Sequence, residues 1–142
     1  MDAKICVDAS FALKLVLPEA DSDLAQSEWR NWLHSGVEIA APDLFIYETT
    51  SVLRNRVFRK EIIQSEADEA LEILGGLEIT YHNPDAIRHL AWDLARGTNR
   101  PTAYDAFYLG LAQQESCPFW TGDRRLYNAV KNRLKWVHVL GP

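Results

Sequence analysis

Three features of this 142-residue chain predict an α/β fold, with a mostly parallel five-stranded sheet between helical layers in an α/β/α arrangement. Short apolar runs alternate with segments of helical period, which calls for helical crossovers between parallel strands. The runs stay apolar instead of alternating, as strands covered on both faces do. Two of them, Ile5-Cys6-Val7 and Pro118-Phe119-Trp120-Thr121, lead directly to aspartates, Asp8 and Asp123. The carboxyl ends of strands in an open α/β sheet face the crevice where ligands bind.

The elements follow in order. Lys4 to Val7 is the first strand. Ser10 is placed to cap a short helix from Phe11 to Leu17, stopped by Pro18. Asp21 to Ser35 is a second helix, with Leu24, Trp29, Trp32 and Leu33 near helical spacing and Gly36 as its stop. Val37 to Ala41 is a strand closed by Pro42, and Asp43 to Lys60 a long helix. Ser65-Glu66-Ala67-Asp68 reads as a capping box opening a helix that ends at Gly75-Gly76. Leu77 to Tyr81 is the third strand. Asn83-Pro84 starts a helix reaching Arg96, with Gly97 beyond it. Thr102 to Gln114 is helical, Pro118 to Thr121 a strand, Asp123 to Leu134 a helix and Trp136 to Leu140 the last strand. No repeat, low-complexity tract or long linker interrupts this order, so residues 1–142 are expected to form one domain.

Composition is that of an ordinary globular chain, 47% hydrophobic and 25% charged. The formal net charge of −5 argues against a general coat for nucleic acid. Basic residues nevertheless cluster at Arg54, Arg56, Arg59 and Lys60, and again at Arg124, Arg125, Lys131, Arg133 and Lys135. Each cluster is either a solvated helix face or a phosphate-binding patch. Two cysteines, Cys6 and Cys117, lie in or beside strand runs and read as core thiols of a reducing cytosol. No apolar run approaches a membrane span, and no signal peptide opens the chain, so a cytoplasmic protein without a membrane partner is expected.

Four acids carry the functional signal: Asp8, Glu48, Asp105 and Asp123. The strand-end aspartates and the first turns of the helices bearing Glu48 and Asp105 all fall at one edge of the predicted sheet. Each has an ordinary alternative. Asp105 completes a capping-box spacing from Thr102, Asp123 suits a helix cap, Glu48 suits a helix N-terminus, and Asp8 merely ends a strand. Taken together, four gathered anions call for a divalent cation, and all-oxygen ligation selects Mg²⁺ or Mn²⁺ over Zn²⁺. Ser10, two after Asp8, and Thr121, two before Asp123, supply hydroxyls to orient those carboxylates. Other chemistries lack their residues. His34, His82, His89 and His138 have no zinc-ligand spacing, and no Gly-rich nucleotide loop or serine or cysteine nucleophile signature occurs.

Val7-Asp8-Ala9-Ser10, Glu48 after Ala41-Pro42-Asp43, Ala103-Tyr104-Asp105-Ala106-Phe107-Tyr108 and Trp120-Thr121-Gly122-Asp123 resemble the four motifs of PIN-domain ribonucleases. Length and spacing resemble the VapC branch of toxin–antitoxin pairs. The resemblance covers essentially the whole chain. It implies a metal-dependent endoribonuclease in which Asp8, Glu48, Asp105 and Asp123 hold Mg²⁺ or Mn²⁺, supported by Ser10 and Thr121. The alternative is a non-catalytic module of the same fold that binds RNA or protein. The implied partners are an RNA substrate, a small antitoxin protein and, as a further option, a second copy of the chain. Tyr104, Tyr108 and Trp120 are candidates to stack a base, with core packing as the competing role. Trp29 and Trp32, three apart on one helix, are candidates for the antitoxin-docking surface, with the core again as the competing place.

Overall fold

The computed structural model describes residues 3–142. Strand β1 (Lys4–Val7) leads into helices α1 (Ala9–Val16) and α2 (Ser22–His34), then β2 (Glu38–Pro42). Helices α3 (Leu44–Phe58) and α4 (Gln64–Gly75) connect to β3 (Thr80–His82). A 3-10 turn (Pro84–Ile87), α5 (Arg88–Gly97) and α6 (Tyr104–Gln114) lead to β4 (Phe119–Thr121). Helix α7 (Arg124–Val130) and β5 (Val137–Val139) follow. The five strands pair in parallel in the order β3-β2-β1-β4-β5.

Alternation along β1 sorts the core into two layers. Ile5 and Val7 join Phe11, Trp29, Trp32, Val37 and Ile39 on one side. Cys6 joins Phe45, Leu53, Tyr108, Leu109, Leu111 and Phe119 on the other. Successive strand residues point to opposite faces, so both faces of the sheet are covered, as the apolar runs predict. Strand order sets the site. The chain builds outward from β1 to β2 to β3, then returns to lay β4 against the other side of β1. A sheet of this kind opens a crevice at the carboxyl ends of the strands where the direction reverses. Cys6 pairs with Phe119 and Val7 with Trp120, so Asp8 and Thr121 emerge side by side at that reversal.

Several element boundaries differ from expectation. The first helix is capped by Asp8, whose side chain accepts from the Phe11 N–H, and not by Ser10, which lies inside it. In α4 the reciprocal capping pair is absent at Ser65. Instead Glu66 accepts from the Ile63 N–H, one half of such a pair, since isoleucine offers no acceptor of its own. The third strand is shorter than expected, because the Ile79 N–H bonds the Leu77 carbonyl in a tight turn ahead of the ladder. The helix expected after Asn83 splits into the 3-10 turn and α5. The last helix stops at Val130, well before Leu134.

Of the two places open to the indoles of α2, docking surface and core, the structure gives the core. Trp29 and Trp32 are 6% and 7% exposed and pack on Phe11 and on each other. Trp120 fills the same layer, edge-on to Trp32 and stacked on His138. The large apolar side chains that do face solvent include Tyr47, Phe58, Ile63, Trp92 and Tyr104. One helix face absorbed both indoles because the sheet turns a wide Ile5-Val7-Ile39 surface toward it.

Cys6 and Cys117 are both buried thiols. The Cys6 thiol donates to the Tyr108 carbonyl at 3.7 Å, and burial pushes it well above the ordinary thiol range. Both thiols are therefore expected to alkylate only as the chain unfolds. Rapid labelling by iodoacetamide under native conditions would contradict this.

Candidate active site

A cavity of about 510 Å³ opens at the reversal between β1 and β4, and all four singled-out acids line it. Asp8 arrives from the end of β1 and Asp123 from the turn after β4. Asp105 stands in the first turn of α6. Glu48 lies in the opening turns of α3, as expected, since that helix begins at Leu44.

Each carboxylate is fixed by the protein. Asp8, 5% exposed, is the most enclosed. Its Oδ1 accepts from Ser10 Oγ at 2.7 Å and the Phe11 N–H at 3.0 Å, and its Oδ2 accepts from Thr121 Oγ1 at 2.6 Å. Burial raises its pKa to about 6, against the opposing pull of those hydrogen bonds, with Asp105 adding a smaller upward push. Tyr108 donates to Glu48 Oε1 at 2.6 Å. Burial raises the Glu48 pKa, the tyrosine opposes, and Asp105 adds to the rise. The same pair drives Tyr108 well upward, first by burial and then by the carboxylate's charge, so the phenol stays a donor. Arg100 Nη2 sits 3.2 Å from Asp105 Oδ2. Asp123 Oδ1 accepts from the Arg125 and Leu126 N–H groups, capping α7. The ordinary and the functional readings of Asp8 and Asp123 thus coexist: each caps a helix and faces the cavity. The spacing from Thr102 to Asp105 makes no cap, because Ala103 holds that position.

Ser10 and Thr121 join the two halves of the site. Their oxygens lie 3.1 Å apart, the Gly122 N–H donates to Ser10 Oγ, and the Asp123 N–H donates to Thr121 Oγ1. Each hydroxyl has one proton. With Asp8 ionised, both protons go to that carboxylate, and the short contact between the hydroxyls is held by their neighbours.

Gly122 is required by space. A Cβ there would lie 2.9 Å from the Ser10 carbonyl oxygen and 2.7 Å from Lys14 Cε. Gly122→Ala is expected to push the β4–α7 turn off α1, costing about 1–3 kcal/mol of stability and misplacing Asp123 relative to Asp8. A thermal midpoint equal to wild type would contradict this.

Lys14, Glu19 and Arg100 are not singled out in the sequence, while Tyr108 and Arg56 are candidates there for other roles, base stacking and a basic patch. Tyr108 lies three after Asp105, and Lys14 four after Ser10, spacings that place each pair on one helix face. Glu19 and Arg56 also line the cavity. Arg100 reaches Asp105 from a loop, where no periodicity could point to it. Of the aromatic residues proposed for stacking, Tyr108 is spent on Glu48 and Trp120 on the core. Tyr104 remains exposed.

The donor set suits a hard cation: four carboxylates lining one cavity, with two of them raised in pKa chiefly by burial and further by the charge of Asp105. It is not a closed cage. Among the described residues no three Asp, Glu, His or Cys side chains cluster tightly enough to hold an ion as they stand.

Comparison with known proteins decides the family, since the PIN domain model matches residues 5–132. The chain belongs to the PIN domain family. This PIN domain is 38% identical over 88 residues to Ribonuclease VapC1 of Mycobacterium tuberculosis, in strains CDC 1551 / Oshkosh and ATCC 25618 / H37Rv. The match takes in 61% of this chain and 63% of the relative, so it spans less than two-thirds of that protein's length. In fold it is similar to the crystal structure of PAE2754 from Pyrobaculum aerophilum. The TM-score is 0.66 at 20% identity, covering 97% of this chain and 84% of the other. It is also similar to Mycobacterium tuberculosis VapC20, a Sarcin-Ricin loop cleaving toxin, with TM-score 0.63 at 20% identity, covering 88% and 94%. At that identity the likeness concerns the fold.

Proposed function

We propose that this PIN domain is an endoribonuclease dependent on Mg²⁺ or Mn²⁺, and that it is the toxin of a toxin–antitoxin pair. The observation that carries the reading is the convergence of Asp8, Glu48, Asp105 and Asp123, from four separate elements, on one cavity at the sheet's reversal point. A binding module has no use for such a set, because uncompensated carboxylates cost stability. Ribonuclease VapC1 as a relative supports the RNA substrate. In this reading residues 1–142 act as one nuclease domain in the cytoplasm. Among the described residues no helix is long and apolar enough to cross a membrane.

The four acids would hold the ion. When bound, the ion supplies countercharge to the phosphodiester and eases deprotonation of the attacking water. The chain's own residues provide position. Ser10, Thr121 and the Phe11 N–H fix both oxygens of Asp8. The Tyr108 hydroxyl aims Glu48, and the α7 N-terminus pins one oxygen of Asp123. Arg100 gives Asp105 a cationic partner. Tyr104, exposed beside Asp105, is the aromatic face available to a base. A small antitoxin is the expected partner. Trp29 and Trp32 are buried, so neither indole is offered to it.

The test is cleavage of single-stranded and structured RNA by purified protein. The expected result is fragmentation with Mg²⁺ or Mn²⁺ that EDTA stops. Binding of RNA with no cleavage under any of these ions would favour the non-catalytic alternative.

A further inference from the structure

We propose that Lys14 and Arg56, bridged by Glu19, form a subsite for a backbone phosphate flanking the bond to be cut. The inference rests on the ribonuclease reading and assigns one wall of the same cavity. Helices α1 and α3 carry a common gradient along that wall. On α1, Ser10 beside Asp8 is followed four residues later by Lys14. On α3, Glu48, Val52 and Arg56 recur at four-residue spacing on one face, and all three line the cavity. Eight residues of helix put Arg56 about 12 Å along the axis from Glu48. Each helix thus presents an acid-site residue at one end and a cation one or two turns on. A strand whose scissile phosphate lies at the acids would bring a neighbouring phosphate past the cations.

The cations are organised for this. Lys14 Nζ donates to the Ala20 carbonyl at 2.8 Å and lies 3.6 Å from Glu19 Oε2. Arg56 Nη1 lies 2.7 Å from Glu19 Oε1. That contact is a charge pairing without hydrogen-bond alignment, since Glu19 Oε1 is buried with no hydrogen-bond partner. Only Nη1 of the guanidinium is turned to Glu19, so its other N–H donors can turn to a phosphate. One carboxylate serves two cations, leaving an excess positive charge at the wall. The Lys14 side chain is only 12% exposed, and its stem passes over the bare Cα of Gly122, where a Cβ would stand 2.7 Å from Lys14 Cε. Arg124 also lines the cavity, but its guanidinium is drawn to the Leu140 carbonyl at 3.2 Å.

The experiment compares wild type with Lys14→Met, Arg56→Met and Lys14→Arg in two readouts. One is cleavage of a single-stranded RNA in Mn²⁺. The other is anisotropy of the same labelled RNA in Ca²⁺ over a range of salt. Each Met variant is expected to raise KM about tenfold with kcat within about twofold, as loss of one charge-assisted contact implies. The slope of log affinity against log salt is expected to shrink by about 0.7 for each, the single-strand value per phosphate contact. Lys14→Arg is expected to keep the wild-type slope. Unchanged slopes in both Met variants overturn the subsite, as does a fall in kcat at unchanged KM. Wild type that cuts no RNA sinks the nuclease reading, while the salt slopes still judge the subsite. Thermal melts of all four proteins separate misfolding from loss of contact.

Discussion

Replacing Asp8 by Asn is expected to reduce RNA cleavage by on the order of 10³-fold or more, because it removes charge from a proposed ion ligand where charge is worth several kcal/mol. The same substitution is expected to stabilise the ion-free protein at neutral pH. Asp8 has a folded pKa of about 6 against an ordinary value of 3.8, raised chiefly by burial. A raised acid contributes stability that is complete below the unfolded pKa and is lost as pH climbs through the folded one. Between pH 4 and pH 7 the ion-free wild type should therefore lose roughly 2.4 kcal/mol to this one group. Asn carries no charge to desolvate and caps a helix as well as Asp does, so the Phe11 N–H keeps its acceptor. Melts in EDTA should show the variant matching wild type near pH 4 and exceeding it at pH 7.5. A variant that cuts RNA at wild-type rate removes Asp8 from the site. One that is less stable than wild type at both pH values refutes the electrostatic account of its burial.

The second large effect concerns the ion. Mn²⁺ or Mg²⁺ at a hundred times its dissociation constant should stabilise the native chain by about 2.7 kcal/mol, since the unfolded chain offers no assembled site. For a domain of this size that is a rise of roughly 8 °C in the thermal midpoint. The rise should be larger at pH 8 than at pH 5. At the lower pH a proton on Asp8 competes with the ion, and Glu48 is displaced upward in the same sense. Asp105→Asn should abolish most of it. Calorimetry with and without ion at the two pH values is the measurement. An ion response independent of pH, or one retained by Asp105→Asn, would place binding outside this cavity.

The sheet and its acids were legible because they are written in local signals. Fully apolar strands announce burial on both faces, and Asp8 and Asp123 stop those runs at the one edge where a doubly covered sheet is open. What escaped depends on contacts without period. The Tyr108 bond to Glu48 spans 60 positions and the Thr121 bond to Asp8 spans 113. Ser10 was expected to serve as a cap, yet Asp8 takes that role and Ser10 ties the two halves of the site together. The capacity of one helix face to absorb Trp29 and Trp32 depends on the area of the sheet beneath it, a quantity no helical wheel contains. Glu19 sits outside every helix and strand, between Pro18 and α2, and only the fold brings it to Arg56.

The neighbour that β1 acquires last has a consequence for synthesis. Strand β1 leaves the ribosome well before its partner β4, since Asp8 and Thr121 stand 113 positions apart. Until Phe119 pairs with Cys6, Asp8 lacks the hydroxyl of Thr121 and the cavity lacks one wall. On the proposed nuclease reading, a nascent chain is therefore inert until β4 docks. Competence would arrive with that one pairing, and a partner would have the interval before it to be at hand.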